Sequence, residues 1–184
     1  MSARRVRLGD VVRRVADTAL PLADDPRAYV ALEHLAQGEP RLLGAASASE
    51  ARSAKWSFAR GDVLLGRLRP LLRKAALAPY DGVCSTDILV LRAAPEALPR
   101  YLLAALHTDR FWEFAAASAV GTRMPRARWS SLCRYELALP PIAAQREVAR
   151  ALEAMDRAVD ANEAHLARLR EARRAVRESL VGER

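Results

Sequence analysis

The run Gly66-Arg67-Leu68-Arg69-Pro70-Leu71-Leu72-Arg73-Lys74 carries four cations and no acid. A guanidinium holds a phosphate, or the O6/N7 edge of guanine, in a two-pronged fork that an ammonium cannot match. Pro70 cannot donate to a strand ladder, so the segment is expected to bend away from the strand before it as a loop. A second run, Gly121-Thr122-Arg123-Met124-Pro125-Arg126-Ala127-Arg128-Trp129, repeats the chemistry. Together they nominate Arg67, Arg69, Arg73, Lys74, Thr122, Arg123 and Arg126 as contacts to nucleic acid on one electropositive face, with Arg73 and Lys74 as phosphate neutralisers. The competing reading for each loop is a solvated turn, or a patch satisfied by the protein's own acids, because charge runs are commonly solvated faces. Trp56 and Trp129 read as core or loop anchors rather than base-stacking platforms.

Residues able to do covalent chemistry are sparse. A restriction-type nuclease needs an acidic-x-Lys pair, yet the two lysines, Lys55 and Lys74, are preceded at that spacing by Ser53 and Leu72. A methyltransferase needs a glycine-rich cofactor loop after a strand, and the sequence contains no G-x-G. No serine stands in a G-x-S-x-G elbow. His34, His107 and His165 are too scattered for a local zinc motif, and Cys84 and Cys133 form no C-x-x-C pair, so both cysteines read as small buried hydrophobes. No catalytic residue, metal or cofactor is assigned to the chain.

The elements that would carry these loops follow from composition and periodicity. The chain has 184 residues, 51% of them hydrophobic and 28% charged, enough for one packed domain with an appendage. No apolar run approaches the roughly 20 residues of a membrane span, and the start MSARRVRLGD has no signal-peptide apolar region, so the expected compartment is cytoplasmic. The formal net charge is +8, and residues 1–140 carry 21 basic and 14 acidic side chains against 9 and 8 in residues 141–184. The positive excess therefore belongs to the first part. There, Leu8, Val11, Val12 and Val15 have helical spacing, Tyr29–Leu32 reads as a strand, and residues 38–53 read as irregular. Continuous apolar runs at 62–65 and 85–91 predict strands covered on both faces. Pro99 opens a helix carrying Tyr101, Leu102, Leu106, Phe111 and Phe114.

The composition changes at Pro140-Pro141, after which no Gly or Pro occurs until Gly182. Residues 142–181 predict one helix of about 60 Å at 1.5 Å per residue. Its larger side chains fall at Val148, Leu152, Met155, Val159, Asn162, Leu166, Leu169, Arg173, Val176 and Leu180, alternating steps of four and three as in a heptad seam. An antiparallel two-fold pairing of two such helices would match Val148 with Leu180, Leu152 with Val176, Met155 with Arg173, Val159 with Leu169 and Asn162 with Leu166. The expected fold is α+β: a compact mixed sheet-and-helix domain, residues 1–139, followed by one long coiled-coil helix, residues 140–184.

The ordered series Gly61-Asp62-Val63-Leu64-Leu65-Gly66-Arg67-Leu68-Arg69-Pro70 with Lys74, then Cys84 to Leu91, then Gly121 to Arg126, then Leu139-Pro140-Pro141 with Gln145 and a long helix, resembles the specificity subunit of type I restriction–modification systems. The match runs from about Leu8 to Leu180. The resemblance implies that residues 1–139 are a target recognition domain reading double-stranded DNA and that the helix serves dimerisation and partner binding. It also implies methyltransferase subunits that methylate adenine with S-adenosylmethionine, and, in a restricting system, an ATP- and Mg-dependent restriction subunit. Those cofactors belong to the partners, and this chain is expected to be non-catalytic. The family carries two such units in tandem; this sequence holds one and so resembles a half-subunit, which points to a homodimer reading a bipartite site. From a different class, a coiled-coil adaptor whose globular domain binds protein is the alternative.

Overall fold

The computed structural model describes residues 3–181. By its internal contacts the chain divides into a first unit that ends at Gln145 and a second that begins at Arg146.

At the centre of the first unit lies a four-stranded antiparallel sheet. Its strands are Val12–Val15, Ile88–Ala93, Val63–Gly66 and Ala75–Leu77, in that spatial order. The apolar runs of its two central strands have the physical cause expected of them, because both faces are covered. Val63, Leu65, Leu89 and Leu91 pack into one buried cluster with Leu102, Leu106, Phe111 and Trp112 from the helices Pro99–Leu106 and Asp109–Ala117. Leu64, Ile88, Val90 and Val15 pack on the opposite face with Val30, Phe58 and Cys84 from a second sheet. The register Val90↔Leu64 beside Leu89↔Leu65 separates the two sets cleanly, since alternate residues of a strand face opposite ways. A one-residue slip would exchange the two cores.

The second sheet has five short strands in the order Thr18–Ala19, Lys55–Phe58, Gly82–Cys84, Ala28–Val30 and Ala46–Ser47. Its one parallel pair joins Ala28–Val30 to Gly82–Cys84. Gly82 sits where this sheet is tightest: a Cβ there would lie 2.6 Å from both the Ala28 carbonyl oxygen and Phe58 Cζ. The first strand of the chain, Arg4–Arg7, pairs with Glu136–Leu139, which closes the unit by joining its beginning to its end.

Three expectations about elements need correction. The opening helix is a single turn, Leu8–Val11, flanked by strands; Val12 and Val15 belong to the four-stranded sheet, where β-branched side chains and pairing with Val90 and Ala93 override helical spacing. Ser85–Asp87 form a turn ahead of the strand that starts at Ile88. The helix at Pro99 stops at Leu106, and a new one begins at Asp109 with the Thr108 hydroxyl accepting from the Phe111 N–H. Cys84 is buried, which pushes its thiol up to about 12, and both cysteines are free.

The long helix runs from Ile142 to Val181, 40 residues. Its first turn belongs to the first unit, where Gln145 is fully buried and fully bonded. Its Oε1 accepts from the Leu98 N–H at 2.8 Å, and its Nε2 donates to the Glu96 and Pro140 carbonyls, each at 2.9 Å. In the second unit the seam residues Val148, Met155, Val159, Leu166, Leu169, Val176 and Leu180 are 40–76% exposed. Asn162 and Arg173 are exposed and Leu152 is half-buried.

Candidate nucleic-acid interface

The strand Val63–Gly66 delivers the first basic loop. Gly66 is followed by a single tight turn, Pro70–Leu72, with Pro70 buried and Leu71 projecting. On either side of that turn Arg69 and Arg73 adopt left-handed backbone, φ +49° and +53°. Non-glycine residues avoid that region, and where they are held there the surrounding structure must impose it. The imposing contacts are backbone bonds: the Gly66 N–H donates to the Lys74 carbonyl at 2.8 Å, and the Arg73 N–H donates to Pro70 at 2.9 Å.

The second basic loop is zipped to the first. Leu68 and Arg126 form an antiparallel bridge. The Arg69 N–H donates to the Pro125 carbonyl at 2.8 Å, and the Ala127 N–H donates to the Arg67 carbonyl at 2.9 Å. Two segments more than fifty residues apart thus make one surface. Arg69, Thr122 and Arg123 are exposed on it, and Arg69 and Arg123 have no ion pair among the described residues.

The remaining nominated cations have partners that the sequence spacing could not reveal. Arg126 grips Asp87 through two bonds, Nε to Oδ1 at 2.7 Å and Nη2 to Oδ2 at 3.0 Å, and this bond raises its already high pKa. Arg73 is paired with Asp109. Lys74 Nζ donates to the Leu32 carbonyl at 2.7 Å, and His107 Nε2 lies 3.1 Å from the Arg73 carbonyl. Acids that are absent from each run in sequence are therefore present in space beside Arg126 and Arg73.

Arg67 is different. Its Nε is buried without a hydrogen-bond partner. Burial pushes its guanidinium below the ordinary arginine range, Asp87 opposes that, and Arg126, Arg14 and Arg128 add to it. Arg14 and Arg128 were not selected from sequence. Arg128 stands inside the second basic run; Arg14 lies in the strand Val12–Val15 and stacks over Trp56 at 5.6 Å from the ring centre. Arg13-Arg14 set between valines was the one signal for it. Among the described residues no group of three or more His, Cys, Asp or Glu converges as a metal site, and no helix is long and apolar enough to cross a membrane.

No protein-family model matches the chain. A curated protein, the specificity subunit of the type I restriction enzyme EcoDI from Escherichia coli, is 28% identical over 101 residues, covering 55% of this chain and 22% of that one. The crystal structure of the HsdS subunit from Thermoanaerobacter tengcongensis superposes with a TM-score of 0.71 at 26% identity, over 86% of this chain and 43% of that chain. The chain is similar to type I specificity subunits in sequence and in structure. A second solved structure, from work on the assembly and conformational transition of the type I restriction–modification system, gives a TM-score of 0.71 at 25% identity over 88% of this chain and 44% of its own. The S subunit from M. genitalium, at 15% identity and a TM-score of 0.54, shares the fold. The chain spans less than half the length of the specificity subunits it matches. The α+β architecture with a long following helix is thus shared with those solved structures.

Proposed function

We propose that this chain is a non-catalytic DNA-recognition unit of a type I restriction–modification complex. The observation that carries the reading is the backbone zipping of the two basic loops, which turns two weak charge signals into one surface with Arg69 and Arg123 exposed upon it. Double-stranded DNA is the partner of that surface. Phosphate contacts would fix register and orientation there, while sequence is read by the side chains that reach base edges. Arg73 and Arg126, each held by an acid, are better suited to fixed geometry than to free neutralisation.

The remaining roles follow from the same proposal. Methyltransferase subunits supply S-adenosylmethionine-dependent methylation of adenine, and a restriction subunit supplies ATP- and Mg-dependent cleavage where the system cuts. The working compartment is the cytoplasm. The exposed seam is covered by the same seam of a second copy. At about 1.5–3 kcal/mol per fully buried aliphatic side chain, covering several of them outweighs the cost of ordering the pair. Pairing Val148 with Leu180 and Val159 with Leu169 makes the dimer antiparallel, and two-fold symmetry gives an inverted-repeat site with a spacer. Methylome sequencing of the host before and after deletion of this gene tests the proposal. Loss of one bipartite adenine-methylation motif is expected, and an unchanged methylome in a host whose methyltransferase subunits are expressed would refute it.

A further inference from the structure

The turn Pro70–Leu72 departs from ordinary loop chemistry at three positions. Turn tips favour polar residues and glycine, and left-handed backbone favours Gly or Asn. Here arginines hold that conformation on both flanks, Arg69 at φ +49° and Arg73 at φ +53°, and a leucine stands between them. Leu71 is 71% exposed, whereas Pro70 before it is buried and Leu72 after it is half-buried. A lone exposed leucine is commonplace on a protein surface, so the way this one is held decides its meaning.

It is held from several sides. The Arg69 N–H donates to the Pro125 carbonyl at 2.8 Å, and the Arg69 carbonyl accepts from the Leu72 N–H at 2.9 Å. The Pro70 carbonyl accepts from the Arg73 N–H at 2.9 Å and the Leu72 carbonyl from the Gly38 N–H at 3.2 Å. The Arg73 carbonyl lies 3.1 Å from His107 Nε2, the Arg73 side chain pairs with Asp109, and Lys74 Nζ donates to the Leu32 carbonyl at 2.7 Å. Contacts from Leu32, Gly38, His107, Asp109 and Pro125 thus impose a backbone that the sequence alone would avoid, and strain sustained in this way collects at functional sites. The Arg69–Pro125 bond also makes the turn continuous with the surface on which Arg69 and Arg123 are exposed.

We propose that Leu71 is a wedge that enters between two stacked base pairs of the bound duplex and kinks it. The proposal rests on the DNA-recognition reading above and adds to it a residue and a mode of recognition. Leucine is among the apolar side chains that open a base step in this way. Opening a step opposes binding, and a leucine on a loose loop would swing aside; one on a braced turn meets the stack without first being ordered. Arg69, two residues away and exposed, places a cation beside the point of entry. Discrimination then comes in part from how readily a step unstacks, which is easiest at pyrimidine–purine steps, and not only from hydrogen bonds to base edges.

The test compares binding of the full chain to an intact mixed-sequence duplex and to the same duplex carrying one central T·T mismatch, whose unstacking is largely prepaid. The parent should prefer the mismatched duplex by about tenfold. Leu71→Ala should abolish the preference, and Leu71→Met should keep it. Melting should be unchanged in both variants, because the side chain is 71% exposed. Leu71 carries no charge, so Leu71→Ala should leave the log–log salt slope as it is, whereas Arg69→Ala should lower its magnitude by about one. End-to-end energy transfer on a doubly labelled duplex should report shortening with the parent and none with Leu71→Ala.

Equal affinity of the parent for the two duplexes, or the same preference in parent and Leu71→Ala, would overturn the wedge; if Arg69→Ala still lowered the salt slope, the DNA-recognition reading would stand without it. Binding to neither duplex would overturn both. A Leu71→Ala chain that binds and bends DNA as the parent does but no longer copurifies with methyltransferase subunits would make Leu71 a protein contact and overturn the wedge.

Discussion

Replacing Gln145 should unseat the junction that its side chain satisfies. The residue is fully buried, and its amide meets three backbone groups: the Leu98 N–H at 2.8 Å and the Glu96 and Pro140 carbonyls at 2.9 Å. Gln145→Met keeps the side-chain volume and removes all three bonds. Each buried group left unmatched costs about 1–3 kcal/mol, so the variant should lose at least about 3 kcal/mol. For a chain of this size that lowers Tm by about 6–12 °C. Gln145→Glu adds a sign test. An ionised carboxylate would face two carbonyl oxygens in a buried site, so the new group's folded pKa is raised above its unfolded value and stability is lost as pH rises through the folded value. The Glu variant should therefore be more stable at pH 5 than at pH 8 relative to the Met variant. Urea unfolding followed by circular dichroism at the two pH values is the assay. A Met variant within about 0.5 kcal/mol of the parent, or a Glu variant with no pH dependence of its own, would refute the reasoning.

Three other outcomes are expected. Gly82→Ala forces a Cβ into the Ala28 carbonyl oxygen and the Phe58 ring at 2.6 Å, and denaturant titration should show a loss of about 1–3 kcal/mol. His107 is held below its ordinary pKa chiefly by burial; its contribution is complete above the unfolded value near 6.5 and declines as pH falls through that value toward the lower folded pKa. The parent should thus lose stability on acidification from pH 7 to pH 5 in chemical denaturation, and His107→Gln should lose less. Under oxidising conditions a Met155→Cys/Arg173→Cys chain should form covalent dimers from unlike positions, detectable by peptide mapping, whereas crosslinks confined to identical positions would exclude the antiparallel pairing.

How far the sequence reached differs from element to element for physical reasons. The strands Val63–Gly66 and Ile88–Ala93 were legible because burial on both faces leaves continuous apolar runs. The long helix was legible because nothing in its 40 residues interrupts the heptad steps. The opening segment was not, since Leu8, Val11, Val12 and Val15 satisfy helical spacing while their valines gain more from pairing with Val90 and Ala93. The short strands of the second sheet, two to four residues each, are too brief to show alternation. In the interface, the loops themselves were visible as acid-free basic runs. Their partners were not, because Asp87 stands 39 residues from Arg126 and Asp109 stands 36 residues from Arg73. Those contacts decide which cations remain available, and only tertiary structure brings them together. Gln145 could be singled out in sequence only as part of a family pattern; its three bonds give the physical reason for a glutamine there.

The central claim is that the zipped basic loops are the surface that holds DNA. Its most direct test is equilibrium binding of a duplex library by the chain, alone and with the methyltransferase subunits proposed as its partners, comparing the parent with Arg67→Ala/Arg69→Ala/Arg123→Ala by mobility shift across a series of salt concentrations. The account predicts that the parent binds with a steep salt dependence and that the triple variant, folded by circular dichroism, binds more weakly with a shallower slope. Parent and triple variant with the same affinity and the same slope would contradict it.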